Sequence, residues 1–194
     1  MKRIQVVAAL ALVATLLGCA REVGPDFRLD RNSKSGVAAI SLMASGDIRG
    51  EVLFYWRPAN DGNTLRARSL QWAPRSNPLD WPYNAKRPIP GASPAGRLAI
   101  LELAPGQYEF YQWQQAYGGM IYKFGRPFAA RFEVVAGQVT YVGSLHVTVR
   151  GNQFSIAAED RRQRDLALLA QKLPNVPPES VVVRLIAEVD PTKQ

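Results

Sequence analysis

Residues 139–149 alternate between apolar and polar side chains more regularly than any other part of the chain. The odd positions carry Val139, Tyr141, Gly143, Leu145, Val147 and Val149. A period of two residues is that of a β-strand with one face in a core and the other in solvent. Such a strand needs neighbouring strands and a covering layer, so the chain is constrained to a fold built on sheets.

Other short segments rich in apolar, β-branched and aromatic residues lie on both sides of this strand. The predicted strands cover residues 36–43, 50–57, 65–72, 97–103, 107–117, 120–128, 128–135 and 153–157. Turn-forming residues such as Asn60-Asp61-Gly62-Asn63 and Gly118-Gly119 separate them. Many short strands at this spacing are typical of a β-sandwich or a β-barrel. The sequence therefore predicts one mainly β domain over residues 36–190.

Two segments depart from the strand pattern. Residues 73–96 hold six prolines, which lack the amide donor of a strand ladder, and they predict a long loop. Residues 160–173 predict a helix that Asp160 begins and Pro174 ends. Its apolar residues share one stripe at helical spacing: Leu166, Leu169, Ala170 and Leu173. A final strand is predicted over 181–187.

A short turn narrows the choice of architecture. Leu103-Ala104-Pro105-Gly106-Gln107-Tyr108 places a tight Pro-Gly turn between apolar segments. This pattern resembles the turn of prealbumin-like and carboxypeptidase-regulatory-like modules. The resemblance implies an immunoglobulin-like or prealbumin-like antiparallel β-sandwich, here with one C-terminal helix and a final strand. Modules of this kind are usually not enzymes.

The N-terminus carries a targeting signal. Lys2 and Arg3 precede an apolar run over residues 4–17, which is too short to cross a bilayer as a helix. Leu16-Leu17-Gly18-Cys19 follows and resembles the lipobox of bacterial lipoprotein precursors. The resemblance implies a signal peptide over residues 1–18, cleavage before Cys19, and attachment of lipid to Cys19.

The predicted lipid anchor implies a cellular location for the protein. In lipoproteins of this type, Asp after the cysteine favours the inner membrane, and Ala20 stands there instead. We therefore expect a protein anchored in the outer membrane with its domain facing the periplasm. Residues 19–35 are polar and charged, and they predict a flexible tether that reaches about 50 Å when fully extended.

The charge of the chain is basic but dispersed. There are 24 Lys and Arg side chains against 16 Asp and Glu, and loss of Lys2 and Arg3 leaves 22 against 16. Scattered basic residues favour an ordinary solvated surface, with contact to anionic lipid or acidic polymers as the alternative. Nucleic acid is not an expected partner of an envelope protein. Cys19 is the sole cysteine, so no internal disulfide is possible.

The residues needed for common catalytic sites are scarce. His146 is the single histidine, no G-x-S-x-G motif is present, and a zinc site would need more His or Cys. No P-loop or dinucleotide-binding motif occurs. The sequence predicts no catalytic residue, no metal, no cofactor and no enzymatic activity. It places His146 at a solvent-facing polar position.

Aromatic residues around Gly118-Gly119 form the best candidate for ligand binding. A two-residue turn there pairs Tyr117 with Met120 and Gln115 with Tyr122. Alternation then places Tyr111, Trp113, Tyr117 and Tyr122 on one face. Trp113, Tyr117, Tyr122 and Trp81 are candidate binding residues, with the inner face of the core as the alternative.

Three functional hypotheses follow, of which the last is an unrecognised hydrolase with clustered carboxylates in a cleft. The first is a non-enzymatic interaction or structural module of the cell envelope, whose partner is another envelope protein or a glycan. The second is an envelope glycan or small-ligand binding protein that uses the aromatic hairpin.

Overall fold

The computed structural model describes residues 21–47, 51–60, 68–72, 95–117, 120–123, 128–151, 153–187 and 189–190. Within these residues the chain is mainly β with one α-helix, which confirms the fold class at this level. The strands form two sheets, sheet A and sheet B. Except for Ala95 and Gly96, the predicted loop over residues 73–96 lies outside the described residues.

Sheet A contains six strands: β1 (Arg21–Glu22), β2 (Gly36–Gly46), β5 (Ala95–Leu103), β9 (Val139–Arg150), β10 (Gln153–Glu159) and β11 (Val181–Val183). Their order across the sheet is β1-β5-β2-β9-β10, and β11 also pairs with β9. Sheet B contains six further strands: β3 (Glu51–Pro58), β4 (Arg68–Trp72), β6 (Gly106–Tyr117), β7 (Met120–Lys123), β8 (Ala129–Val134) and β12 (Val189–Asp190). Their order is β12-β8-β6-β3-β4, with β7 beside β6.

The main hydrophobic core lies between the two sheets. Sheet A contributes residues such as Ile40 and Leu145, and sheet B contributes Phe54, Phe110 and Trp113, all of them buried. The rings of Phe54 and Phe110 meet edge to face, with centroids 6.4 Å apart. Aromatic and β-branched side chains at alternate positions bury one face of each sheet. We call the face of sheet A that faces this core its inner face and the opposite one its outer face.

The helix α1 (Arg162–Lys172) covers part of the outer face of sheet A. Leu169 and Leu173 belong to a second apolar cluster that also contains Ile100 and Tyr141. The helix predicted over residues 160–173 is thus confirmed, with both ends slightly shorter. A 3₁₀ helix (Pro178–Ser180) then leads into β11.

Sheet A is mixed, so the predicted antiparallel arrangement is wrong for two of its strand pairs. β2 pairs with β9 in parallel, and so does β11. A parallel pair requires a long crossover connection, since a tight hairpin can join only antiparallel strands. Five of the described strands of sheet B lie between β2 and β9 in the chain and form part of that connection: β3, β4, β6, β7 and β8.

Gly143 interrupts the alternation of β9. Its φ of +103° is readily adopted only by glycine, and the register with β2 shifts at this point. Val139 and Tyr141 therefore contact the cluster under α1, whereas Leu145 and Val149 belong to the core between the sheets. The prediction of one continuous apolar face over residues 139–149 is wrong at this bulge.

Residues 21–35 lie against sheet A, whereas the sequence predicts a flexible tether over residues 19–35. β1 pairs with β5, and the amide of Val23 donates to the carbonyl oxygen of Ile100 at 3.0 Å. Val23 is buried, and Phe27 and Leu29 pack against the cluster under α1. Three apolar side chains without regular spacing suffice to hold an irregular segment on the sheet.

The Pro105-Gly106 turn carries the chain from sheet A to sheet B. Gly106 has a φ of +150°, and it joins β5 of one sheet to β6 of the other. Just after the turn, the hydroxyl of Tyr108 donates to the carbonyl oxygen of Ala104 at 2.8 Å. The ring of Tyr108 stacks on Phe132 with centroids 5.6 Å apart. Tyr108 therefore holds the turn against the core.

We predict that Tyr108→Phe lowers the free energy of unfolding by about 1 kcal/mol, because the turn loses one hydrogen bond while the ring remains. Urea denaturation of the purified full chain measures the effect. Tyr111→Phe is the matched control: Tyr111 lies on the same strand, and its ring sits 4.5 Å from the Arg57 guanidinium. Equal stability of the two variants would contradict a role for the Tyr108 hydroxyl.

Candidate functional site

A buried polar contact positions the start of α1. Asp165, in the first turn of the helix, is fully buried and accepts a hydrogen bond from the Tyr141 hydroxyl at 2.7 Å. Arg164 Nε donates to the other carboxylate oxygen at 2.8 Å. Burial and the neighbouring carboxylate raise the pKa of Tyr141, which keeps its hydroxyl a hydrogen-bond donor. The first turn of α1 is thereby fixed over β9.

Beside this helix start, three side chains form a hydrogen-bonded cluster on the outer face of sheet A. Ser45 Oγ lies 2.9 Å from His146 Nε2, and His146 Nδ1 lies 3.0 Å from Glu159 Oε1. The residues come from β2, β9 and β10, which are adjacent strands. We call these residues the Ser45–His146–Glu159 cluster.

The carboxylate end of the cluster is held in its ionised form. Burial raises the pKa of Glu159, but hydrogen bonds from His146 and Arg161 outweigh it and hold this pKa below its ordinary value. Arg161 Nε donates to the second carboxylate oxygen at 2.9 Å. An ionised carboxylate only accepts hydrogen bonds, so His146 Nδ1 is the donor toward Glu159.

This assignment determines what the other imidazole nitrogen does. In neutral imidazole one ring nitrogen is a donor and the other an acceptor. With Nδ1 as the donor, Nε2 accepts from the Ser45 hydroxyl. The arrangement can therefore transfer a proton from Ser45 to His146.

His146 is less exposed than the sequence predicts. Its side chain is 14 % exposed and Glu159 is 28 % exposed. The prediction of a solvent-facing polar position is therefore wrong, because both ring nitrogens are engaged by neighbouring strands. Ser45 is half-buried, and its hydroxyl also lies 3.2 Å from Thr148 Oγ1.

Two further hydroxyls lie along the same face. Ser41 and Ser144 are buried and paired in register, and neither hydroxyl has a hydrogen-bond partner among the described residues. By strand alternation they share the outer face with Ser45 and His146. A buried hydroxyl without a partner costs roughly 1–3 kcal/mol, so this face is more polar than packing alone requires.

Met43 lies between the cluster and the helix. It is paired with His146 across β2 and β9, and its sulfur lies 3.6 Å from a guanidinium nitrogen of Arg164. A Cβ added at Gly96 would come within 2.2 Å of that sulfur. Glycine at position 96 thus makes room for Met43, and Met43 brings the Arg164 cation close to this part of the sheet.

The structure separates the residues that the sequence predicts as sites. Cys19 and Trp81, together with the signal peptide over residues 1–18, lie outside the described residues. The backbone register of β6 and β7 pairs Tyr117 with Met120 and Gln115 with Tyr122, which confirms the predicted hairpin.

Trp113 lies in the core. It is 1 % exposed, and its ring centroid is 5.6 Å from that of Phe154 in an edge-to-face contact. A bulge in β6 shifts the register with β3 beside Tyr111, so Tyr111 turns toward Arg57 while Trp113 turns inward. The prediction that Tyr111 and Trp113 share one face is wrong at this bulge. Ligand stacking stays a prediction for Tyr117, Tyr122 and Trp81.

Sequence reasoning missed Ser45 and Glu159. They lie 101 and 13 residues from His146, and no short motif joins them. They meet because parallel pairing sets β2 beside β9 and a hairpin sets β10 on its other side. The available signal was the alternation of β10, which places Glu159 on the face opposite Phe154 and Ile156.

The described residues hold no group of three or more His, Cys, Asp or Glu side chains suited to a metal ion. They also include no helix that is both long and apolar enough to cross a membrane.

Comparisons with known proteins assign this chain to no family. No protein-family model and no curated protein matches the sequence. Among solved structures, part of a leucine-rich repeat protein from Bacteroides thetaiotaomicron is similar over 72 % of this chain, with 12 % identity and a TM-score of 0.32. This chain spans 16 % of the length of that protein.

We predict that Glu159→Gln destabilises the protein at neutral pH by about 1 kcal/mol, since partly exposed ion pairs contribute modestly. The pKa of Glu159 is lower in the folded chain than in the unfolded chain, where it is about 4.3. The contribution of Glu159 to the free energy of unfolding is therefore fully present above the unfolded-state pKa. It is lost as the pH falls through the folded-state pKa.

Urea denaturation at a series of pH values from neutral to acidic tests this pH dependence. The difference in free energy of unfolding between the parent and Glu159→Gln should shrink as the solution is acidified. Glu179→Gln, at an exposed position of the 3₁₀ helix, serves as the control. A difference that stays constant with pH would contradict the assignment.

Proposed function

We propose that this chain is a lipid-anchored protein of the cell envelope whose β domain is an interaction module. The charged N-terminus, the short apolar run and Leu16-Leu17-Gly18-Cys19 support a lipid anchor at Cys19. A cysteine carrying two or more acyl chains would anchor stably, whereas a single chain binds only marginally. Ala20 in place of Asp supports the outer membrane, with the domain on the periplasmic side.

The anchor would hold the domain close to the lipid. Only Ala20 separates Cys19 from β1 in the sequence, and two residues span at most about 7 Å. β1 is hydrogen-bonded to β5 as part of sheet A. A tether that reaches about 50 Å is therefore not expected. In the proposed anchored state, the β1 edge of the domain lies beside the lipid headgroups.

The observation that carries the interaction role is the free edge of β10. This strand pairs with β9 along seven residues, and its other edge pairs with no strand in the described part of the chain. Unpaired backbone donors and acceptors on such an edge can accept an added strand. We therefore propose an extended segment of another envelope protein as the partner.

The other edges of the sheets are less suited to this role. β1 and β12 have two residues each, and β4 begins with Arg68. Proteins commonly protect edges by keeping them short or by placing charges and prolines on them. The sequence of β10, Gln-Phe-Ser-Ile-Ala-Ala-Glu, contains no proline and no basic residue.

We further infer that the two sheets form an immunoglobulin-like or prealbumin-like sandwich. The shared core between the sheets and the crossing turn at Pro105-Gly106 support this. The hydrogen bond from Tyr108 back to Ala104 resembles the tyrosine corner of such sandwiches.

We predict that Cys19→Ser removes lipid attachment. The variant should lose incorporation of a labelled fatty acid and should leave the membrane fraction or remain unprocessed, since no thiol remains to be acylated. Ser33→Ala, a change to another small residue in the N-terminal segment, is the control. Unchanged labelling of Cys19→Ser would contradict the anchor.

We predict that a photo-crosslinker at Gln153 captures a partner in cells, whereas one at Gln171 on the exposed face of α1 does not. Both positions are exposed, but only Gln153 lies on the β10 edge. Adding Ser155→Lys should reduce the crosslink, because lysine on an edge strand opposes pairing.

Mass spectrometry of the crosslinked peptide identifies the partner segment, and Gln171→Lys controls for the added charge. Capture that is equal from positions 153 and 171, or that is insensitive to Ser155→Lys, would contradict the edge as the interaction surface.

A further inference from the structure

We propose that Ser45, His146 and Glu159 form a site for acyl transfer to water, with Ser45 as the nucleophile and carboxylic esters as the substrate class. Ser45 Oγ to His146 Nε2 is 2.9 Å, and His146 Nδ1 to Glu159 Oε1 is 3.0 Å. Nucleophile, base and orienting carboxylate thus follow in the order that serine hydrolases use on unrelated folds. This activity does not depend on the lipid anchor or on the β10 edge.

The two bonds of His146 lie on opposite ring nitrogens, which is the feature that general-base chemistry requires. Glu159 engages Nδ1, so the Nε2 lone pair is directed at the hydroxyl of Ser45. Arg161 binds the second oxygen of Glu159 at 2.9 Å and fixes the carboxylate. Glu159 and Arg161 therefore act as positioning residues.

The site is rigid and reachable. Ser45, His146 and Glu159 sit on three adjacent strands, so their spacing is set by backbone pairing rather than by loops. Gly46, next to Ser45, has a φ of +85°, and a Cβ there would lie 2.0 Å from the carbonyl oxygen of Val149. Ser45 is half-buried, so part of this residue faces solvent.

The chemistry balances with water as the only co-reactant. Ser45 Oγ attacks the ester carbonyl carbon while His146 Nε2 takes the hydroxyl proton. The bond from that carbon to the alcohol oxygen breaks, and His146 returns the proton to the departing alcohol. Water then loses a proton to His146, attacks the acylated serine and releases the carboxylic acid, and Ser45 regains its proton.

A structural role is the competing explanation, because Thr148 Oγ1 also lies 3.2 Å from Ser45 Oγ. A hydroxyl cluster of that kind stabilises the sheet without making Ser45 nucleophilic. The two explanations differ in a measurable way, since only a nucleophile forms a covalent adduct at Ser45 under the control of His146.

The first measurement is hydrolysis of p-nitrophenyl acetate by the full chain in detergent micelles. Ser45→Ala and His146→Gln should each lower kcat/KM by about 10²-fold or more, the usual contribution of general-base catalysis. Ser180→Ala, a serine of the 3₁₀ helix, should leave it unchanged. Equal kcat/KM for the parent and Ser45→Ala overturns the proposal.

The second measurement does not depend on a variant that must fold. A fluorophosphonate probe applied to the unaltered chain should label the peptide containing Ser45, as located by mass spectrometry, and urea-unfolded protein should not react there. His146→Gln, checked for an intact fold by circular dichroism, should lose the label. Absence of the label from Ser45 in the folded parent overturns the proposal.

Discussion

The parallel pairing of β2 with β9 is the contact on which the rest of this structure depends. It places Leu42 and Leu145 side by side toward sheet B and lays Val37 beside Val139 under α1. Both apolar clusters therefore share this strand pair. No disulfide assists it, since the chain has one cysteine. Stability rests on bringing together segments about a hundred residues apart, whose closure entropy is offset only once both clusters are buried.

The sequence predicts the Gly-Gly hairpin and the helix α1, because turn residues and helical apolar spacing act over a few residues. The hairpin register of Tyr117 with Met120 follows from Gly118-Gly119 alone. The direction of the β2–β9 pair does not follow, because it depends on how the chain crosses between sheets. The switch of faces at Gly143 is equally hidden, since a glycine in a strand is compatible with regular pairing as well as with a bulge.

The candidate site was beyond sequence reasoning for a related reason. Ser45 is the next-to-last residue of β2 and Glu159 is the last residue of β10, and each is an ordinary residue for a half-exposed position. Only the joint register of three strands brings them to His146. Polar groups such as Ser41 and Ser144 on the same face oppose stability rather than add to it, which is common where a protein maintains a functional surface.

The strand order of sheet A separates β1 and β10 at opposite edges, with β5, β2 and β9 between them. Four spacings of about 4.8 Å put the two edges about 19 Å apart. In the proposed anchored state, the width of the sheet sets how far β10 stands from the anchored β1 edge. Since residues 21–35 pack against sheet A, this distance is determined by the folded domain and not by a flexible tether. The sheet would then be a rigid spacer between the membrane and whatever β10 binds.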